Sequence, residues 1–293
     1  MNSNALRHLA LATALSMLAL GCASRRVEHF RLFAEAGRSY SRAVDQLAEE
    51  AGKAAIDADS ELLAKDRDRL SAEQRRTVYL ERTEALRELL HELRELRRHA
   101  LLLERYFTTL SRIADDRTPE ATLRATAEIV EALRQLHPTL AGAIIGDRPV
   151  DELMRQSRPL LVAEFRNRAL TRELRQHAEL VARELELQRA ILTGLTVELE
   201  ADLQAIADAR SYSEVAAPYI GEARLPANWQ RRRREILSGY VMLARVDQAA
   251  KAAEELQRQF IDLAENRVRI EDWPHLVASI DAIFDLVELA RQP

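Results

Sequence analysis

Apolar and small side chains follow one another at alternating steps of three and four residues from Phe30 onward. The series continues through Phe33, Gly37, Tyr40, Val44, Leu47, Ala51, Ala54 and Ala58. This spacing places all of them on one face of a long α-helix, as in a heptad repeat. It predicts a helix over about 27–66, which at 1.5 Å per residue is roughly 60 Å long.

A second helix with the same spacing is predicted over about 72–115. Ser71 followed by Gln74 forms a capping-box sequence, which starts a helix. The apolar stripe of this helix consists of Tyr79, Leu86, Leu89, Leu93, Leu96, Ala100, Leu103, Phe107, Leu110 and Ala114. Since Leu90, Leu101 and Leu102 widen that stripe, we expect the helix to contact more than one neighbour.

Four more helices are predicted in the rest of the chain. One begins at Thr118-Pro119-Glu120 and should end near Leu136, before His137-Pro138. The next follows Pro159 and is about 50 residues long, and the others extend over about 229–267 and from about 272 onward. Helix-breaking residues concentrate over 137–159 and 210–228, where we predict the two breaks. Long helices with short connections pack best as antiparallel neighbours, so we expect an all-α fold, an elongated antiparallel bundle with long coiled-coil-like helices over 27–293.

The composition agrees with a helical protein. The 293 residues include only eight glycines and eight prolines, too few for the many tight turns of a sheet protein. The net charge of −4 supplies no field that would attract nucleic acid, so we expect no nucleic-acid partner. A single cysteine excludes a disulfide framework and a cysteine-based zinc site.

The N-terminal segment is typical of a secretory signal. Residues 1–8 are polar with one arginine, and 9–20 are an apolar run too short to span a bilayer, which needs about 20 residues. The run is followed by Gly21-Cys22, with aliphatic residues upstream, and this arrangement resembles the lipobox of bacterial lipoproteins. Ala19 stands where that family most often has leucine, and Leu20 where a small residue is usual.

The resemblance implies cleavage after Gly21, removal of residues 1–21 and acylation of Cys22, with palmitate among the attached chains. Ala23, rather than aspartate, implies sorting to the outer membrane, with the protein facing the periplasm. Several acyl chains attach a protein to a bilayer permanently. We expect a tether over 22–26 that reaches roughly 15 Å. Arg25 and Arg26 would then lie among anionic lipid headgroups.

No motif in the chain predicts catalysis, a metal site or a cofactor other than the covalent lipid. His91 and His99 are eight residues apart, and the sequence between them is not the H-E-x-x-H pattern whose histidines share a zinc ion. Acidic pairs are so frequent that none is singled out. A catalytic nucleophile elbow and a phosphate-binding glycine loop are both absent from the sequence. We therefore predict a protein that is not an enzyme.

Two segments are candidate contact sites. Arg231, Arg232, Arg233 and Arg234 follow Trp229 at a predicted helix start, where the helix dipole disfavours positive charge. Either they pair with acidic residues of neighbouring helices, or they bind anionic headgroups with Trp229 as an interfacial anchor. The apolar run containing Leu140, Ile144 and Ile145 either caps the bundle end or forms an exposed contact tip.

These patterns predict a membrane-anchored periplasmic lipoprotein that acts as a structural or protein-interaction module of the cell envelope. The expected partner is another envelope protein or a second copy of the chain. The wide apolar stripe of the second helix supports this hypothesis. The first alternative is a carrier of lipid or another hydrophobic ligand, and a weaker one is a helical pore-forming protein. An apolar stripe left uncovered in the folded chain would indicate a binding surface, and a covered one only a core.

Overall fold

The fold is an all-α helical bundle. The computed structural model describes residues 3–115, 120–141, 144–145, 148–150, 169–221, 224–264, 277–278 and 280, and the side chains of most of them from Phe30 onward. Within these ranges the α-helices are α1 (Ser3–Asp66), α2 (Ala72–Asp115), α3 (Glu120–Ala141), α4 (Ala169–Arg210), α5 (Ala217–Ile220) and α6 (Trp229–Ala264). A 3-10 turn (Arg67–Arg69) follows α1, and a π-helix (Ser211–Ala216) joins α4 to α5. The strands β1 (Ile144–Ile145) and β2 (Arg148–Pro149) form one antiparallel pair.

The hairpin of α1 and α2 is the most extensive helix pair of the bundle. Its antiparallel register follows from ion pairs that join Arg42 to Glu104 at 2.5 Å, Asp45 to Arg97 at 2.7 Å and Asp59 to Arg82 at 2.6 Å. The predicted capping box is confirmed at the start of α2. The backbone N–H of Ser71 donates to Gln74 Oε1 at 2.9 Å, and the backbone N–H of Gln74 donates to Ser71 Oγ at 3.3 Å.

A second antiparallel pair, α4 and α6, packs beside the first. Gln257 Nε2 donates to the carbonyl oxygen of Ala182 at 3.0 Å, and α6 also packs against α1, where the rings of Phe33 and Phe260 stack at 5.5 Å. Helix α4 also contacts α1, α2, α3 and β1. As a result its middle turns are buried on every side, including Leu185, Leu187 and Ile191. Helix α4 is therefore the central helix, which the sequence pattern alone did not predict.

We refer to the end of the bundle formed by the connections 67–71 and 221–228 as the distal end. Arg210 at the end of α4 pairs there with Glu61 near the end of α1, so these two helices run in the same direction. At 1.5 Å per residue, Cys22 and Glu61 lie about 58 Å apart along α1. The distal end is thus separated from the predicted lipid anchor by the length of the bundle.

The structure corrects the predicted ends of three segments. Helix α1 begins at Ser3, not near Val27, so the predicted tether over 22–26 is part of the helix. Helix α3 continues past Leu136 to Ala141 with Pro138 inside it, and His137 in that last turn is held by a hydrogen bond to Glu184 of α4. The break predicted over 210–228 is narrower, because 211–220 remain helical. Most of the helix predicted from 272 onward lies outside the described residues.

Candidate functional site

The residues that resemble a lipobox are part of α1. Gly21, Cys22, Arg25 and Arg26 occupy consecutive turns of this helix, and their side chains lie outside the described part of the structure. A helical segment over 22–26 spans about 6 Å, against roughly 15 Å for an extended tether. Acylation of Cys22 and headgroup contact by the two arginines stay predictions, and the helix places any such anchor directly at the start of the bundle.

The apolar run proposed as a contact tip divides between two elements. Leu140 lies in the last turn of α3, and Ile144 and Ile145 form β1, which pairs with β2 in the register Ile144 to Pro149 and Ile145 to Arg148. The β1 backbone packs beside α4. The side chains of all three apolar residues lie outside the described part of the structure. The backbone position favours the first of the two hypotheses, in which this run caps part of the bundle.

A cleft lies at the distal end, between the end of α1, the π-helix and the first turns of α6. Its volume is about 560 Å³. It is lined by Glu61, Leu62, Ala64, Lys65, Arg210, Ser213, Glu214, Arg231, Arg232 and Glu235. Four of these side chains are cationic and three are anionic, so the distal cleft is polar and of mixed charge.

Arg210 connects the elements around the distal cleft. Its guanidinium pairs with Glu61 at 2.5 Å, with Glu214 at 3.2 Å and with Glu235 at 3.4 Å. Partial burial acts to lower the pKa of Arg210, but the hydrogen bond to Glu214 and the charges of Glu61, Glu214 and Glu235 outweigh it, so the pKa is raised. A single arginine thus ties α1 and α6 to the π-helix.

The four consecutive arginines of α6 divide into two pairs with different surroundings. Arg232 pairs with Glu214 at 3.0 Å, and Arg231 lies 3.7 Å from Glu235. These two fit the first of the predicted interpretations, ion pairing with acidic residues nearby. Arg233 and Arg234 are exposed and form no ion pair with any residue that the structure describes. They remain available for an external anion.

The π-helix has a clear cause in the sequence. Pro218 has no N–H, so it cannot donate to the carbonyl of Glu214 four residues earlier, and its ring crowds that carbonyl. The chain widens there, and the N–H of Ala217 donates to Tyr212 five residues back. Trp229 braces this segment, because its Nε1 donates to the Val215 carbonyl at 3.0 Å.

The ring of Trp229 also stacks on Tyr219 at 5.8 Å. Its polar N–H and one face are therefore used within the protein. Trp229, which we proposed as an interfacial anchor, instead joins α6 to the π-helix and α5. Any membrane contact at this end of the bundle thus has to come from other side chains.

Exposed apolar side chains surround the connection between α5 and α6. Tyr212, Tyr219, Ile220 and Leu225 are 70%, 68%, 76% and 40% exposed. Together with the exposed Arg224, Arg233 and Arg234 they form a surface that we call the distal tip. Its composition, with aromatic and aliphatic groups beside arginines, is unlike that of the polar distal cleft.

The apolar stripe of α2 is covered over only part of its length. From Leu93 onward it is buried against α1 and the central helix. In the first half of α2, Tyr79 and Leu80 are each 56% exposed, and Leu86 and Leu89 are only partly buried. We call this half, residues 72–92, the open half of α2. The open half of α2 is therefore an uncovered apolar stripe, which is the feature expected of a binding surface.

A narrow groove of about 220 Å³ lies beside the open half of α2, between α1, α2 and α4. It is lined by Ala55, Ala58, Asp59, Arg82, Ala85, Leu86, Leu89 and Leu199. The ion pair of Asp59 and Arg82 closes one side. The small volume and this ion pair leave little room for a ligand of its own.

The centre of the bundle holds a charged cluster that the sequence reasoning missed. Glu184 of α4 is fully buried and accepts hydrogen bonds from His99 Nδ1 at 2.6 Å and His137 Nδ1 at 2.5 Å. Burial acts to raise the pKa of Glu184, but the hydrogen bonds from His137 and His99 outweigh it, and the pKa is lowered. Since an ionised carboxylate only accepts, both imidazoles carry a proton on Nδ1.

The histidine cluster joins three helices: α2, α3 and α4. His99 Nε2 is buried and has no hydrogen-bond partner among the described residues. The cluster resembles a catalytic dyad only in its residue types. It lies in the core and opens onto neither described cleft, and no serine, threonine or cysteine is hydrogen-bonded to it within the described residues. Its clearest role is to hold α3 against the bundle.

The described residues contain neither a metal-binding cluster nor a membrane-spanning helix. No group of three or more histidine, cysteine, aspartate or glutamate side chains in this part of the chain is arranged to hold a metal ion. No helix within it is both long enough and apolar enough to cross a membrane.

Comparison with known proteins gives no matching family model, no similar curated protein and no similar solved structure.

Proposed function

We propose that the protein is a lipid-anchored helical rod of the bacterial cell envelope, attached through Cys22 and acting as a structural or protein-interaction module. The open half of α2 carries the proposal. There, Tyr79 of the apolar stripe and its neighbour Leu80 each expose more than half of their surface. Exposed apolar surface of this kind marks interaction sites.

The position of the open half agrees with a docking role. It belongs to the distal part of the α1 and α2 hairpin, far from Cys22 along α1. A membrane at the anchor therefore leaves this face accessible. The charges around it are of both signs, as with Glu84 and Arg87, which pair at 3.2 Å. An amphipathic helix of an envelope protein, or the same face of a second copy, is the partner that such a surface fits.

The alternative of a lipid carrier has weaker support. The apolar groove beside the open half of α2 holds about 220 Å³, less than the roughly 300 Å³ at the lower end of ligand pockets. The larger distal cleft is lined by seven charged side chains, which an acyl chain would have to desolvate. The pore-forming alternative depends on the apolar run at 140–145, whose described backbone packs beside α4.

The proposal is tested by crosslinking from the open half of α2. A photoreactive amino acid is placed at Leu80, and as the control at Val197, which is 58% exposed on α4. In envelopes of cells that carry the lipidated protein, we expect adducts from position 80 and none from position 197. A second copy would give an adduct at twice the protein mass, and an envelope partner an adduct of another mass.

The double variant Tyr79→Glu with Leu80→Glu distinguishes specific docking from non-specific crosslinking. These side chains are exposed, so the fold should persist, as circular dichroism would verify. Because the variant occupies position 80, the crosslinker is moved to Leu86. The adduct formed from Leu86 in the parent protein should be absent in the variant. Light scattering of the purified protein reports self-association independently. A strict monomer that gives no adduct from position 80 would refute the interaction role.

A further inference from the structure

The distal tip combines exposed apolar side chains with arginines. Tyr212, Tyr219 and Ile220 are each about 70% exposed and project from the π-helix and α5. Arg224 follows in the connection to α6, and Arg233 and Arg234 lie in the first turns of α6. Aromatic and aliphatic side chains beside arginines are the groups that settle at a bilayer interface.

The charge of the distal tip is positive. Arg224, Arg233 and Arg234 form no ion pair within the described residues. Glu214 and Glu235, the described carboxylates within 212–235, are already paired with Arg210 in the distal cleft. Glu222 lies outside the described residues and can offset one positive charge at most. The tip therefore offers a net attraction to an anionic surface.

The small apolar area of the distal tip favours binding to a bilayer over binding to a folded protein. Two tyrosines about 70% exposed present roughly 100–175 Å² each, and the four apolar side chains together on the order of 500 Å². A stable protein interface buries about 800 Å² on each partner. A surface of this size presents less than that, whereas interfacial insertion requires only a few apolar groups and nearby cations.

We propose that the distal tip binds the surface of an anionic lipid bilayer, so that the rod connects two membrane surfaces. Cys22 and Glu61 are about 58 Å apart along α1, and the tip lies at the Glu61 end. When the rod stands upright on its anchor, the tip faces away from the anchoring membrane. Bridging rests on the lipid anchor of the proposed function, but binding by the tip does not.

Tip binding is measured with residues 22–293 carrying Cys22→Ser, which lack the apolar leader and the acyl chains. This protein is sedimented with vesicles of phosphatidylglycerol, or of phosphatidylcholine alone. We expect binding to the anionic vesicles only. The double variant Arg233→Gln with Arg234→Gln should bind about thirtyfold more weakly, since each arginine near an anionic surface contributes a factor of about five.

Matched variants separate the tip from general charge. Arg94 and Arg105 are exposed on α2 without a described ion pair, and Arg94→Gln with Arg105→Gln makes the same charge change on the side of the rod. This control should bind as the parent protein does. Likewise Ile220→Ser should weaken binding, whereas Val197→Ser, also exposed, should not. Equal losses in tip and control variants, or no binding to anionic vesicles, would overturn the proposal.

Bridging is tested with the lipidated protein held in one vesicle population. Addition of phosphatidylglycerol vesicles should cause clustering, detected by light scattering, and the Arg233 and Arg234 double variant should abolish it. If the isolated tip binds vesicles but the lipidated protein never clusters them, the bridge is wrong. If Cys22 is never acylated in cells, the anchor of the proposed function fails and tip binding stands alone.

Discussion

The cluster of Glu184, His99 and His137 gives the sharpest prediction about stability. Replacing Glu184 by alanine removes a fully buried carboxylate that accepts two hydrogen bonds, at 2.6 Å and 2.5 Å. Hydrogen bonds to a charged group contribute about 1.5–3 kcal/mol each. Breaking a buried charged network typically costs about 3–5 kcal/mol. We therefore expect Glu184→Ala to lower the free energy of unfolding by about 3–5 kcal/mol.

Glu184→Gln should cost much less, because glutamine keeps the volume and one acceptor. Its amide can donate to the second imidazole once that ring carries its proton on Nε2, which suits the partly exposed His137. We expect a loss of about 1 kcal/mol, because hydrogen bonds to a neutral amide contribute less than those to a carboxylate. The matched control is Glu179→Ala on the same helix. Glu179 and Arg183 form an exposed pair, so this change should cost less than about 0.5 kcal/mol.

The dependence on pH follows from the lowered pKa of Glu184. A carboxyl whose pKa is lower in the folded chain contributes its full stability above its ordinary value of 4.5 and loses it as the pH falls through the folded value. Urea unfolding followed by circular dichroism should show a difference between the parent and Glu184→Gln that is largest near pH 7 and shrinks below pH 4.5. If Glu184→Ala costs no more than Glu179→Ala, the argument is wrong.

Four other substitutions test the packing, the first three by urea unfolding and the last by hydrogen exchange. Gly37→Ala should destabilise the protein by about 1–3 kcal/mol, because the new Cβ would lie 2.6 Å from the Phe107 ring. Gly52→Ala is the control and should be neutral or stabilising, because its Cβ would lie 3.2 Å from the flexible end of Leu90. Equal effects of the two changes would contradict this reasoning. Arg245→Met should raise the urea midpoint, because it removes the buried Nε and Nη2 atoms, which have no partner within the described residues. A lower midpoint would show that the ion pair of Arg245 with Glu50 contributes more than these unpaired atoms cost. Trp229→Phe keeps the stack on Tyr219 but loses the bond to Val215, so faster hydrogen exchange is expected over 211–220 alone.

Local signals in the sequence predicted the helices well. The capping box at Ser71 and Gln74 marks the start of α2, and the structure has this helix over Ala72–Asp115, as predicted. The start of α6 at Trp229 was also predicted. The predicted end of α3 and the predicted length of the break after α4 were wrong, because a proline was taken as a stop. Pro138 and Pro218 are instead absorbed, the first in a last turn held by a tertiary hydrogen bond and the second by a π-helix.

The buried charges were missed because each one alone resembles a surface residue. His99, His137 and Glu184 come from three helices, and only the packing of α4 at the centre brings them together. One signal was present in the sequence. Glu184 is three residues after Val181 and one before Leu185, within the apolar stripe of α4, where a charge needs a buried partner. Charges within an apolar stripe are therefore the positions at which a helical pattern predicts internal pairing.

The continuity of α1 has a mechanical consequence. The helix passes without interruption from Cys22 into the bundle core at Phe30, so no flexible linker separates an anchor from the rod. In the proposed lipid-anchored protein, any change in the angle between α1 and the membrane would then move the far end of the bundle. Over about 58 Å, a tilt of about 10° displaces the distal end sideways by about 10 Å. The orientation of α1 at the lipid surface would thus determine which part of a facing bilayer the distal tip can reach.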